Sequence, residues 1–154
     1  MAMHGRKWYL PVQRFCGFVL SFFGPPLFRA MRPADDGLPE VGGTAKQLGV
    51  RTGPGVKVPD IQIDANGLIH PKSGGMSVAT DSPEYLQPHR RPKEFGGTGN
   101  VPVYSLQRPI WGALRIRVDN PKKHHACVEP LFTCTLDDFN RELRLTRSRW
   151  KRVP

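Results

Sequence analysis

The order of apolar and polar positions divides the chain into two strand-rich stretches, two loop regions and a terminal helix. From Asp60 the residues alternate: Ile61 and Ile63 project to one side, Asn66-Gly67 supplies a left-handed turn, and Leu68-Ile69 starts back, which predicts a hairpin. Ser73-Gly74-Gly75 then opens a second apolar segment, Met76-Ser77-Val78, in which alternation turns Ser77 away from its neighbours. A further hairpin is predicted where Leu114, Ile116 and Val118 alternate with Arg115 and Arg117, turn through Asp119 to Lys123, and return over His125 to Glu129. That return strand carries His125, Cys127 and Glu129 on one face. Thr135 is placed to cap a helix with Asp137 and Asp138 in its first turn and a stripe of Leu136, Phe139, Leu143 and Trp150. The stretches 34–59 and 81–109 are punctuated by proline and glycine and read as irregular connections, the first broken by a helical turn near Thr44 to Leu48.

Composition refines this picture. The chain has 154 residues, with 23 Lys and Arg against 13 Asp and Glu, a formal charge of +10. Such an excess suggests a nucleic-acid binder, but its distribution does not. Residues 1–34 hold five basic residues and no acid, residues 141–154 hold six basic residues against Glu142, and the middle is balanced at 12 of each. A nucleic-acid-binding module working through the two basic ends is therefore the weaker of the charge-based readings. Glycine and proline make up about a fifth of the chain, below the range that marks disorder, so a loop-rich folded domain is expected.

Three cysteines, Cys16, Cys127 and Cys134, do not form a disulfide framework and fit a reducing compartment. The longest apolar run, Phe15 to Phe23, is too short to span a bilayer, so no transmembrane segment is read. Residues 1–24 are read as an N-terminal extension, with a mitochondrial-type leader and a buried N-terminal element as its two uses, and 25–154 as one domain.

Several positions offer chemistry, each with a plainer alternative. Arg29, inside Leu27-Phe28-Arg29-Ala30, suits bidentate contact with a phosphate or carboxylate, or a structural ion pair. Ser77 follows a bare Gly74-Gly75 backbone and is either a site residue or a solvent-facing one. His124 and His125 form either a solvated hairpin tip or a ligand-orienting pair. Zinc ligation by His124, His125, Cys127 and Cys134 matches no usual paired-ligand spacing, and alternation separates His124 from Cys127, so no metal site is read. A Cys127 nucleophile beside His125 lacks a third orienting group. No Walker loop, Rossmann fingerprint or nucleophile elbow occurs, and Gly96-Gly97-Thr98-Gly99 does not join a strand to a helix.

These segments follow a family order. Leu27-Phe28-Arg29-Ala30, Pro59-Asp60-Ile61 with Gly67-Leu68, Gly74-Gly75-Met76-Ser77-Val78, His125 five residues before Pro130, and Arg149-Trp150 together resemble the type VI secretion exported effector toxins with an ADP-ribosyltransferase-like fold. The resemblance covers about Leu27 to Trp150. It implies an α+β fold of two packed antiparallel sheets with a C-terminal helix and NAD, as substrate, in the cleft between the sheets. It also implies transfer of ADP-ribose to an intracellular macromolecule, or NAD hydrolysis, in the cytoplasm or in a cell to which the protein is delivered. A cognate immunity protein would cover the cleft.

By the same resemblance, Arg29 contacts the ribose or phosphate of NAD and Ser77 holds the cleft in shape. Glu129 lies on a strand suited to the acidic role, stabilising the cation that grows as the nicotinamide bond breaks. The exported toxins match His125 and carry no acid at that place, so His125 ranks above Glu129 and the acid-base assignment stays open. Tyr85 and Trp111, in the loop regions, are candidates to stack on the rings of NAD. Trp150 is read as packing. A catalytically inactive relative that keeps the fold and acts as an interaction protein is the alternative.

Overall fold

A computed structural model of the chain describes residues 24–154. The expectations for the N-terminal extension, its leader and Cys16 lie outside the described residues. The strands are β1 (Leu27–Ala30), β2 (Leu68–Ile69), β3 (Met76–Thr80), β4 (Val103–Leu106), β5 (Leu114–Asn120), β6 (His125–Pro130), β7 (Cys134–Thr135) and β8 (Lys151–Arg152). One α-helix among the described residues, α1 (Leu136–Leu145), joins β7 to β8 through a 3-10 turn. The architecture is α+β: a six-stranded antiparallel sheet in the order β5-β6-β3-β1-β4-β8, a two-stranded sheet β2-β7, and the C-terminal helix.

Alternation decides the two faces of the large sheet. Leu27, Met76, Val78, Ile116, Ala126 and Val128 point into the main core, where Phe139 and Leu143 of α1 and Trp150 pack with them. Phe28, Ala30, Ala79 and Val103 point the other way and pack with Leu86 and Val101 of the 81–102 connection. Ser77, Cys127 and His125 share this second face. The predicted β5-β6 hairpin is present, with register from Leu114↔Pro130 to Asn120↔His125, and a 3-10 turn over Pro121–Lys123 closes it.

The hairpin expected around Asn66-Gly67 does not form. The turn itself is there, with Gly67 at φ 77° and the Asp64 carboxylate accepting from the amides of Asn66 and Leu68. Its flanks pair elsewhere: Leu68 and Ile69 bind Thr135 and Cys134, and Ile61 bridges Gly74. No helical turn forms near Thr44 to Leu48. There the Gln47 side chain accepts from the Thr44 amide and closes a simple turn.

Thr135 caps α1 as expected, its Oγ1 accepting from the Asp138 amide at 3.1 Å. The helix stops at Leu145, so Trp150 does not extend its stripe. Trp150 is buried from beyond the 3-10 turn, and its indole donates to Thr146 Oγ1 at 3.0 Å. Gly74 and Gly75 serve packing. A Cβ at Gly74 (φ 120°) would lie 2.2 Å from the Asp60 carbonyl oxygen, and one at Gly75 would lie 2.3 Å from that of Val128.

Candidate functional site

A cleft of about 350 Å³ opens on the second face of the large sheet, where β1 and β3 part. Their pairing consists of Leu27↔Thr80 and Phe28↔Ala79, after which Arg29 and Ala30 pair only with β4. Arg29, Ser77, Ala79, His125, Tyr85, Arg51, His89 and Arg90 are among the lining residues, and none of the lining residues is an Asp or Glu. Three residues far apart in sequence, Arg29, Ser77 and His125, thus meet at one cleft together with Tyr85.

Arg29 is 3% exposed and its guanidinium is directed at backbone carbonyls. Nη1 donates to Ser77 at 2.7 Å, Nε to Gln47 at 3.3 Å, and Nη2 to Gln47 at 3.1 Å and Gly49 at 3.4 Å. Of its five N–H groups, four are spent in this way. Burial, followed by the nearby Arg90, brings its pKa down to about 10, which still leaves a cation at neutral pH. The side chain fastens the parted edge of β3 to the 47–49 segment.

His125 is held by Asp119. Its Nδ1 lies 2.5 Å from Asp119 Oδ1, which leaves Nε2 free of that contact. Asp119 occupies a β-bulge between Val118 and Asn120, the extra residue that lets a carboxylate on β5 aim at a histidine on β6. The other carboxylate oxygen accepts from the Cys127 thiol at 3.7 Å. Burial above all, with Asp119 adding to it, pushes this thiol up to about 12, so it is a neutral packing group and not a nucleophile at physiological pH.

Asp119, His125 and Cys127 offer three ligand atoms within 4.8 Å of one another. Tetrahedral zinc at about 2.0–2.1 Å from nitrogen and oxygen would separate those two ligand atoms by about 3.3 Å, and it would need a thiolate. A hydrogen-bonded Nδ1···Oδ1 contact of 2.5 Å and a protonated thiol describe an oriented histidine better than a metal centre.

Glu129 and Trp111 are not among the cleft residues. Glu129 shares a strand face with His125 but is 0% exposed. Its carboxylate lies 2.6 Å from Arg115 Nε, 2.8 Å from Arg117 Nε and 3.1 Å from the Lys72 amide. Trp111 is 60% exposed, in the connection before β5. Tyr85, which does line the cleft, ends a 3-10 turn capped by Ser82 and stacks on His124 with ring centroids 3.7 Å apart. His124 has φ 50° and binds Asp81 Oδ2 at 2.6 Å, a contact that holds the Asp81 carboxyl below its ordinary range.

Sequence reading missed Asp119, Arg51, His89 and Arg90. The adjacent Arg90-Arg91 pair before Gly96-Gly97-Thr98-Gly99 was the available signal. Carbons added at Gly97 and Gly99 would lie 2.2 and 2.6 Å from the carbonyl oxygens of Arg91 and Arg90, so these glycines let the loop close on the arginine backbone. The amides of Gly97, Thr98 and Gly99 bind carbonyls of Pro92, Pro88 and Arg91, which commits them within the loop.

Comparison with protein-family models finds no match for the chain, and comparison with curated proteins finds none.

Proposed function

We propose that the cleft binds NAD and that the protein is an ADP-ribosyltransferase of the toxin type, built on an ADP-ribosyltransferase-like fold. The observation that carries this reading is the convergence of Arg29, Ser77 and His125, 96 residues apart at the extremes, on the opening between β1 and β3. In the reaction the bond between the ribose carbon and the nicotinamide nitrogen breaks, and nicotinamide leaves with the electron pair. A nucleophile of the acceptor macromolecule bonds to that carbon, and its proton passes to Nε2 of His125, held in orientation by Asp119. With water as acceptor the same steps hydrolyse NAD.

In this scheme Arg29 holds the cleft open by binding the main-chain carbonyl of Ser77, the Ser77 hydroxyl is offered to the substrate, and Tyr85 offers a ring for stacking. Glu129, clamped by Arg115 and Arg117, holds β5 to β6. The family resemblance adds a protein that acts inside a cell, native or target, and an immunity partner that covers the cleft.

The lack of an acid among the lining residues favours a second reading, a catalytically inactive relative that binds through the same cleft. One experiment separates them. The purified chain, given labelled NAD and cell lysate, should release nicotinamide and label a macromolecule, and Ser77→Ala and His125→Ala should lose both. Wild-type protein that binds NAD without releasing nicotinamide would establish the inactive reading.

A further inference from the structure

The cleft has a neighbour at His89 and Arg90. A smaller recess of about 120 Å³, lined by Ala30, Ala45, Lys46, Gly99, Asn100 and Val101, shares Ala30, His89 and Arg90 with it. Neither recess is lined by a carboxylate. Arg90 therefore lines both of two adjoining recesses, whose charged lining residues are all basic.

The charges around Arg90 do not cancel. Arg51 is paired with Asp60, Nη2 to Oδ1 at 2.7 Å, and that pair is neutral. Among the described residues neither Arg29 nor Arg90 makes an ion pair. Arg29 has spent its donors on carbonyls, whereas Arg90 donates only Nη1, to the Ala45 carbonyl at 2.9 Å. Two uncompensated guanidinium charges, one with most of its planar fork unused, match the two negative charges of an esterified diphosphate.

We propose that Arg90, with His89 beside it and the uncompensated charge of the buried Arg29 behind it, forms a subsite for a diphosphate group where the two recesses adjoin. A dinucleotide would lay its diphosphate there, with one nucleoside toward Ser77 and His125 and the other toward Val101 and Asn100. The identity of that parent ligand rests on the NAD reading of the cleft. The subsite does not, because any nucleoside diphosphate or free diphosphate offers the same group. Arg90 replaces Arg29 as the phosphate-binding arginine. Its position agrees with its electrostatics: burial and the neighbouring Arg51 lower its pKa, a cost that a bound anion offsets.

The test is calorimetric titration of the full chain with inorganic diphosphate and, separately, with ADP-ribose. Wild-type protein should bind both, more weakly as salt rises. Arg90→Gln should weaken both by about tenfold or more, and Arg90→Lys, which keeps the charge without the fork, should fall between. Lys122→Gln, on the β5-β6 turn, should bind as wild type does. Thermal melts identify a variant that fails to fold, in which case Arg90→Lys decides. No diphosphate binding by wild type, or equal binding by a folded Arg90 variant, overturns the subsite. Binding through Arg90 without nicotinamide release from NAD leaves the subsite standing and removes the transferase. Nicotinamide release undiminished in Arg90→Gln does the reverse.

Discussion

Arg29 donates from Nη1 to the backbone carbonyl of Ser77 at 2.7 Å, across the gap that opens when β1 stops pairing with β3. The cleft thus depends on a structural arginine. Without it the carbonyls of Ser77, Gln47 and Gly49 lose their buried donor. Arg29→Ala should destabilise the fold by at least about 3 kcal/mol in denaturant unfolding. Arg29→Lys should recover little, since three donors on one nitrogen cannot reach carbonyls on both sides of the gap. A stability equal to wild type in Arg29→Ala would refute the fastening role.

Glu129→Gln should cost about 3 kcal/mol, because Arg115 and Arg117 would both face a neutral amide in a site closed to solvent on the glutamate side. If Glu129 acts only in packing β5 on β6, any NAD-dependent activity per folded molecule should match wild type. A selective loss of that activity at unchanged stability would return Glu129 to the chemistry.

Asp119→Asn should leave stability within about 1 kcal/mol and lower the rate of ADP-ribose transfer about tenfold or more, with KM for NAD little changed. His125→Ala should lose about a hundredfold. The pH-rate profile adds a readout that a purely structural Asp119 would not move: its acidic limb should shift in Asp119→Asn, because the imidazole that takes the proton must begin neutral. An identical profile would count against the oriented histidine.

Cys127 should resist alkylation in the native protein. With its thiol pushed up to about 12, the thiolate fraction at pH 8 is roughly 10⁻⁴. Residue-resolved mass spectrometry should find it modified only on unfolding. The sign for stability follows from the raised value: the native state keeps its proton longer than the unfolded chain, whose thiol ionises near 9.0. Stability from this group should be intact below pH 9 and fall as pH rises toward 12. Cys127→Ser should flatten that decline.

Much of the local structure was legible in the residues. The β5-β6 strands followed from apolar alternation, and the start of α1 from Thr135 with Asp137 and Asp138. The bounds failed where distant parts compete. The stripe through Trp150 has helical spacing, but α1 ends at Leu145 and the indole reaches the core from a 3-10 turn. Of the candidate site, Arg29, Ser77, His125 and Tyr85 meet at the cleft, whereas Glu129 and Trp111 lie away from it. Strand alternation places Glu129 on the same face as His125, but says nothing about the arginines of β5 that enclose it.

By itself the sequence determined what neighbours along the chain decide: the side of a strand on which Ser77, His125 and Cys127 sit, the cap on α1, and the turn at Gly67. These depend on side-chain period and on hydrogen bonds reaching a few residues. Tertiary structure alone decided that Leu68 pairs with Thr135, that Arg29 binds carbonyls in place of a ligand, and that Asp119 orients His125. Each of these outcomes turns on which groups remain unpaired once loops have closed, and a buried donor takes the acceptor that folding brings to it.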